Sequence, residues 1–559
     1  MRVWRSVFLL LLPSFALQAQ TQISREQCLQ VEAMHIAPSQ IGEPVANVVI
    51  ESVIWEEGTQ GAPVHCRING RMDPVDTHAS ARPILFGVAL PANWNGRAVQ
   101  LGGGGMNGSI PGLAGRGPRS ELTQGYVTYG SDSGHGMREE EWLLNDEAIK
   151  NLGYMQMKKT HDAAMALIQA VYGSEPAYNY YVGGSQGGRE GLTVVQRYPD
   201  DYDGVLSTIP IVGFSSLMLA PSRSRIEEIP LERWVSPVKG AALLAEFMRQ
   251  CDGLDGLQDG VINNYVACRA IFNVNDDRGP KQPWAALQCP ADSDPAPAET
   301  SVQACLTSGQ MQTLHYVFSD FAPGIELANG RRTFGMWAPT TAVGSVSPFG
   351  GLFSGDRYKG QEGAADDAPV FATLGTNGVY GFFMQDLKGN PLDFNEAQHG
   401  ARYAQLSPWL DATQSDLSGF ADQGGKIIVI VGTDDTIASS GEQLNYFQTV
   451  LDVMGRDAVD AFARFYVLPQ TGHGLTGRSA AINGSGESIE PFNIPSQVDR
   501  FALLTAWVEA GRAPAQAVTV SGETRTLPMC SFPGYPHYTG GDVASAASYV
   551  CTTPDLSRL

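Results

Sequence analysis

The sequence predicts an α/β fold in which a doubly wound sheet carries a large insertion, and three observations predict it. Strand-like and helix-like runs alternate through residues 20–212, the rhythm of a doubly wound sheet. That rhythm breaks over residues 213–410 and resumes at Lys426-Ile427-Ile428-Val429-Ile430-Val431, an apolar, β-branched run that reads as a buried strand. Between a strand-like and a helix-like run lies Gly183-Gly184-Ser185-Gln186-Gly187, where close-set glycines mark a sharp turn. At 559 residues the chain can bury a substantial core, which suits one enlarged domain with an insertion better than several modules. A hydrophobic content of 43% with 17% charged residues describes a globular protein.

At the N-terminus Arg2 and Arg5 precede the apolar run Val7-Phe8-Leu9-Leu10-Leu11-Leu12, and Ala16-Leu17-Gln18-Ala19 offers small residues for cleavage. Residues 1–19 therefore read as a signal peptide, too short to span a bilayer, and predict a secreted or periplasmic chain. No cysteine stands at the cleavage site to take a lipid anchor, and no later membrane-spanning run is visible. A net charge of −21 argues against nucleic acid and anionic membranes as partners. Eight cysteines in an exported chain imply a disulfide framework, for which sequence neighbours suggest Cys28–Cys66, Cys251–Cys268, Cys289–Cys305 and Cys530–Cys551. No C-x-x-C or H-x-x-x-H spacing supports zinc.

Val99-Gln100-Leu101 runs like a strand into Gly102-Gly103-Gly104-Gly105. Four glycines let backbone N–H groups approach a ligand oxygen closely. A phosphate cradle would need Gly-Lys-Ser/Thr behind the glycines or a G-x-G-x-x-G opening a helix, and neither follows. The run instead suits the stabilisation of a developing oxyanion, with Gly104 as the donor to within one position. Asp132 and His135 come after the strand-like Tyr126-Val127-Thr128-Tyr129, and a structural hydrogen-bonding role is expected of them.

The helix-like stretch from Gln156 to Tyr172 leads to the strand Asn179-Tyr180-Tyr181-Val182 and then to Ser185. A serine on a strand-to-helix turn needs small neighbours, because the backbone is strained and the helix packs close. The turn lifts the hydroxyl above the sheet edge and aims free helix N-terminal N–H groups, that of Gln186 first, at a reacting oxygen. A serine nucleophile also needs a base and a group to orient the base. Downstream, the strand at Lys426 ends in Gly432-Thr433-Asp434-Asp435, and the strand-like Ala463-Arg464-Phe465-Tyr466-Val467-Leu468 ends in Pro469-Gln470-Thr471-Gly472-His473-Gly474. The order Ser, acid, His is that of α/β-hydrolases. Of nine histidines, His473 alone sits on a strand-end glycine loop in that order; Asp434 and Asp435 both remain open as the acid.

The insertion occupies the place where such folds carry lids. Within it Asp252, Asp255 and Asp259 share one glycine-punctuated loop between Cys251 and Cys268. Three carboxylates that close repel unless they are solvated or share a cation, and hard oxygen ligands suit calcium. An EF-hand register fails, since the twelfth position from Asp252 is Asn263. Trp337, Phe371, Tyr380, Phe382 and Phe383 line an acyl pocket or form lid core.

Four longer motifs carry a resemblance. They are Asn93-Trp94-Asn95-Gly96-Arg97, Ser131-Asp132-Ser133-Gly134-His135, Arg197-Tyr198-Pro199-Asp200-Asp201-Tyr202-Asp203-Gly204 and Cys251-Asp252-Gly253-Leu254-Asp255-Gly256-Leu257-Gln258-Asp259-Gly260-Val261-Ile262. With the Gly-x-Ser-x-Gly turn, they make the chain similar to the tannase and feruloyl esterase family of secreted α/β-hydrolases, over nearly the whole mature chain. The resemblance implies a doubly wound catalytic domain at 20–212 and 411–559, with a lid domain at 213–410. It implies Ser185 as nucleophile, His473 as base and Asp435 as acid, and the same four disulfides. It also implies a structural calcium held by the side chains of Asp252, Asp255 and Asp259 and the carbonyls of Leu257 and Val261. One departure stands out: most family members carry a disulfide between the residue before the serine and the residue after the histidine, and here these are Gly184 and Gly474.

The activity so implied is a serine esterase acting through an acyl-enzyme on small esters of aromatic acids, such as feruloyl, galloyl or terephthaloyl groups. A calcium-dependent binding protein on a scaffold that has lost catalysis, and an esterase, lipase or peptidase of other acyl specificity, are the competing readings.

Overall fold

A computed structural model describes residues 21–59, 61–115, 119–137, 139–220, 231–339, 343 and 378–558. The expected signal segment and Phe371 lie outside them. Among the described residues, eleven strands form one sheet. In chain order they are Asn47–Glu56 (β1), His65–Asp73 (β2), Ile84–Pro91 (β3), Arg97–Leu101 (β4), Val127–Ser131 (β5), Tyr178–Gly184 (β6), Gly204–Thr208 (β7), Lys426–Gly432 (β8), Ala463–Leu468 (β9), Ala517–Ser521 (β10) and Thr526–Ser531 (β11). The spatial order is β10-β11-β9-β8-β7-β6-β4-β5-β3-β2-β1.

Pairing from β9 across to β5 is parallel throughout, and the two flanks are antiparallel. The strand–helix alternation expected from residue 20 therefore begins later than the sequence suggested. β1, β2 and β3 are joined by residues 57–64 and 74–83, too few for the crossover that parallel strands require, so they fold as an antiparallel meander.

Successive residues of a strand face opposite sides of the sheet. On β8, Ile427, Val429 and Val431 join a core with Tyr181, Val205 and Phe447, whereas Ile428 and Ile430 join one with Tyr180, Leu206 and Trp507. Burial on both faces is why this strand is an unbroken apolar run. The helices that supply those covers include Gln156–Tyr172 (α1) and Gln186–Arg197 (α2).

The inserted segment, with Gly240–Cys251 (α3), Tyr265–Phe272 (α4), Ser308–Phe318 (α5) and Glu396–Leu410 (α6), packs into one core with Trp142, Ile149 and Leu152 of the catalytic part. Phe247, Phe272, Trp284 and Phe318 pack there with ring centroids 4.7–5.9 Å apart. Between β8 and β10 come the helices Ser440–Met454 (α7), Arg456–Phe462 (α8) and Arg500–Ala510 (α9). The cystines are Cys28–Cys66, Cys251–Cys268, Cys289–Cys305 and Cys530–Cys551. No helix among the described residues is long and apolar enough to cross a membrane.

From β4 the chain moves outward to β5 and then returns to β6 on the other side. Loops after β4 and β6 thus diverge at a switch point, where α/β sheets open a crevice above the strands' C-terminal ends. The glycine run, Ser185, Asp435 and His473 all follow C-terminal strand ends.

Candidate active site

Ser185 adopts φ 59° and ψ −119°, a conformation that costs a residue with a Cβ and persists only where its neighbours fix it. Its N–H donates to Thr208 O at 2.9 Å, and its carbonyl accepts from Arg189 N–H at 3.0 Å. The flanking glycines are obligatory for packing. A Cβ at Gly183 would stand 2.3 Å from the Gly187 oxygen, and one at Gly187 would stand 2.7 Å from the Gly103 oxygen. One turn on, Arg189 is fully buried and donates to Gln186 Oε1, Leu152 O, Gly153 O and Leu410 O. It fastens the serine helix to the end of α6, and burial draws its pKa down to about 10.

The structure brings Ser185, His473 and Asp435 together. His473 Nε2 lies 2.8 Å from Ser185 Oγ, and Nδ1 lies 2.9 Å and 3.0 Å from the two Asp435 oxygens. Asp435 is 1% exposed, and its Oδ1 also accepts the N–H groups of Ile437 at 2.8 Å and Ala438 at 2.9 Å. These donors fix the carboxylate's direction. Burial pulls the His473 pKa down, but the charge and hydrogen bond of Asp435 outweigh it, so the imidazole titrates above its ordinary value.

The glycine run lies against the serine helix. Gly102 N–H donates to Val182 O at 2.9 Å, Gly103 N–H to Glu190 Oε2 at 3.0 Å, and Gly103 O accepts from Gly187 N–H at 3.0 Å. Gly104 follows; no acceptor for its N–H is found among the described residues, and a Cβ there would meet nothing within 4 Å. Gln186 opens α2, and the first N–H groups of a helix have no partner within it. Neither N–H is taken up by an acceptor among the described residues.

Sequence reasoning missed Glu190 and Asn107. Glu190 is fully buried and gathers Gly103 N–H, Tyr181 OH at 2.7 Å, Gln156 Nε2 at 3.1 Å and Asn107 Nδ2. A glutamate one turn after a nucleophile candidate, on a helix that must bury this face, is a signal that could have found it. Asp132 and His135 take the structural roles expected of them. Asp132 Oδ1 accepts from Leu85 and Gly134 N–H; His135 bonds Met106 O at 2.7 Å and stacks on Trp142 at 3.7 Å, and burial lowers its pKa to about 4.

Of the insertion's aromatics, Trp337 is buried and donates from Nε1 to Thr436 O at 3.1 Å, bracing the turn that bears Asp435. Phe382 meets Trp142 edge-on, Phe383 meets Tyr403, and the Tyr380 hydroxyl donates to Glu140. These contacts are those of lid core.

Asp252 and Asp255 are fully buried, and Asp259 Oδ1 and Asn263 Oδ1 are buried oxygens with no hydrogen-bond partner among the described residues. Burial pushes Asp255 up to about 8 and Asp259 up to about 6, with the neighbouring carboxylates adding repulsion. Val261 O accepts from Asn263 N–H at 3.0 Å and keeps a second lone pair. The Asp252 oxygens accept from the N–H groups of Gly260, Val261 and Gly484, and those of Asp255 from Leu257 N–H and Asn263 Nδ2, so among the expected ligands it is Asp259 Oδ1 that is orphaned. An orphaned hard oxygen amid self-repelling carboxylates fits a calcium ion. The three carboxylates do not all come within 4.8 Å of one another. The tighter His161–Asp162–Asp201 group is already met by Lys158 Nζ, 2.8 and 2.9 Å from the two aspartates.

Comparison with known proteins gives concordant results. The family model described as tannase and feruloyl esterase matches residues 66–552. The chain is 32% identical to an uncharacterized esterase of Agrobacterium fabrum, over 98% of this chain and 97% of that one. It is 28% identical to the mono(2-hydroxyethyl) terephthalate hydrolase of Piscinibacter sakaiensis, over 95% and 92%. The crystal structure of feruloyl esterase B from Aspergillus oryzae superposes with a TM-score of 0.71 at 22% identity, covering 94% of this chain and all of that one.

Proposed function

Because the chain belongs to the tannase and feruloyl esterase family and is an esterase of α/β-hydrolase fold, we propose that it cleaves esters of aromatic acids by serine acyl transfer. The observation that carries the reading is the 2.8 Å contact between His473 Nε2 and Ser185 Oγ, with Asp435 on the far side of the imidazole. Ser185 Oγ attacks the ester carbonyl while His473 Nε2 takes its proton. Asp435 keeps the other ring nitrogen protonated and stabilises the imidazolium. The N–H groups of Gln186 and Gly104 receive the oxyanion. His473 then protonates the departing alcohol, and water, deprotonated by the same nitrogen, releases the acid from Ser185.

The acyl group is feruloyl, galloyl or terephthaloyl in kind, a class to which relatives named for feruloyl and terephthalate esters belong. Calcium at Asp252, Asp255 and Asp259, with the carbonyls of Leu257 and Val261, steadies the insertion and takes no part in the chemistry. The chain is exported: all eight cysteines are paired, and the N-terminal sequence has the form of a signal peptide. A panel of aryl and alkyl esters of ferulic, gallic and terephthalic acids tests the assignment. Preference for aliphatic esters over every aromatic member would overturn the acyl class, and failure to turn over any ester would favour the binding-protein reading.

A further inference from the structure

Gln470 stands three residues ahead of His473 at the start of its loop, 1% exposed and with φ of 54°. A non-glycine residue in the left-handed region keeps that conformation only where its surroundings hold it. Here Oε1 accepts from Ile262 N–H at 2.9 Å, while Nε2 donates to Gly260 O at 2.7 Å and Arg478 O at 3.0 Å. Its own N–H donates to Thr433 Oγ1 at 2.8 Å, and next to it Thr471 O accepts from Asp434 N–H at 3.0 Å. Gln470 therefore joins three segments distant in sequence: the turn that bears Asp435, the loop that bears His473, and the end of the acidic loop around Gly260 and Ile262.

We propose that Gln470 is a positioning residue for His473, holding the imidazole over Ser185 by anchoring its loop on Gly260 and Ile262. The proposal rests on the serine reading above. An apolar side chain of the same size would fill the space and leave the Ile262 N–H buried without its acceptor, so volume alone does not account for glutamine here. The loop also lacks any covalent tie. Positions 184 and 474 are glycine and all cystines lie elsewhere, which leaves hydrogen bonds and packing to set the approach of His473 to Ser185. Small errors in that approach are costly, because proton transfer depends on near-attack geometry.

Gln470→Glu keeps the size and the acceptor for Ile262 but removes both donations. It is compared with the parent in kcat and KM on an aryl ester, in the rate at which a fluorophosphonate labels Ser185, and in melting temperature. The expected result is a fall of about tenfold to a hundredfold in kcat and in labelling rate, with KM within about twofold. If that variant does not fold, Gln470→Asn, which is shorter and tolerates a positive φ, is read the same way per folded molecule. A folded variant with unchanged labelling rate and kcat, and only a lower melting temperature, would overturn the proposal. Failure of the serine reading looks different, since the parent itself would then hydrolyse esters without taking label at Ser185.

Discussion

The His473 imidazole reaches the Ser185 hydroxyl at 2.8 Å across a sequence separation of 288 residues. The two parallel strands that end beside these residues are β6 and β9, with β7 and β8 between them. Such a contact is made by the sheet, since each residue needs only a strand end and a loop of the right length to arrive there.

Removal of any one member should collapse the chemistry, because the three act as a unit. Ser185→Ala and His473→Ala should each lower kcat on a model aryl ester by at least about a thousandfold with folding unchanged. Asp435→Asn should be the more damaging of the two neighbouring aspartate changes, since it is Asp435 that meets the imidazole. Steady-state kinetics on purified variants decides this, and a greater loss from Asp434→Asn would move the acid.

The acid limb of the pH profile should follow His473. The base works when neutral, so kcat/KM should be low below its pKa and rise to a plateau above it. Asp435 raises that pKa against the effect of burial, which places the limb above the ordinary imidazole value of about 6.5. With Asp435→Asn the raising influence is gone and burial remains, so the limb should move to lower pH on a much lower plateau. A limb that stays in place would show that Asp435 does not set the titration.

The serine turn and the loops that bear its two downstream partners were legible in the sequence because each has a local cause, while the choice of Asp435 over Asp434 came from the family resemblance alone. Gly183 and Gly187 are demanded by close backbone approaches, and strand ends mark where Asp435 and His473 must emerge. Glu190, Asn107 and Gln470 were not, since a buried carboxylate or amide acquires its role only when groups from distant segments converge on it. The antiparallel flank β1–β3 was misread as alternating strand and helix because apolar strand patterns do not reveal the direction of pairing. The crowding of carboxylates in the acidic loop was legible in composition, while its contact with the His473 loop through Gln470 was not.

Chelation should lower the melting temperature, and by more at higher pH. Without the ion, Asp255 titrates near 8 and Asp259 near 6 in the folded chain, above their ordinary range. The folded state then binds more protons than the unfolded one, so metal-free stability declines as pH rises from about 4 to 8. The proposed calcium would take the protons' place, and at a hundredfold excess over its Kd would add about 2.7 kcal/mol. Melting curves with and without chelator at pH 5.5 and 8 check this; identical curves at both would remove calcium from the account.

Glycines at 184 and 474 should not tolerate a side chain equally. A Cβ at 184 would stand 2.8 Å from Thr208 Oγ1, whereas one at 474 finds its nearest neighbour, Thr476 Oγ1, at 3.5 Å. Gly184→Ala should therefore destabilise by about 1–3 kcal/mol, in the range of overpacked sites, while Gly474→Ala stays within about 0.5 kcal/mol. Denaturant unfolding of both variants measures the difference, and equal costs would mean that Thr208 yields freely.

The central claim is covalent catalysis at Ser185, and mass spectrometry of the protein after reaction with a fluorophosphonate tests it most directly. The expected result is one adduct per molecule, located on the peptide containing Ser185, absent in Ser185→Ala and formed far more slowly in His473→Ala. An enzyme that turns over aryl esters yet carries no adduct there, or carries it on another residue, would contradict the account.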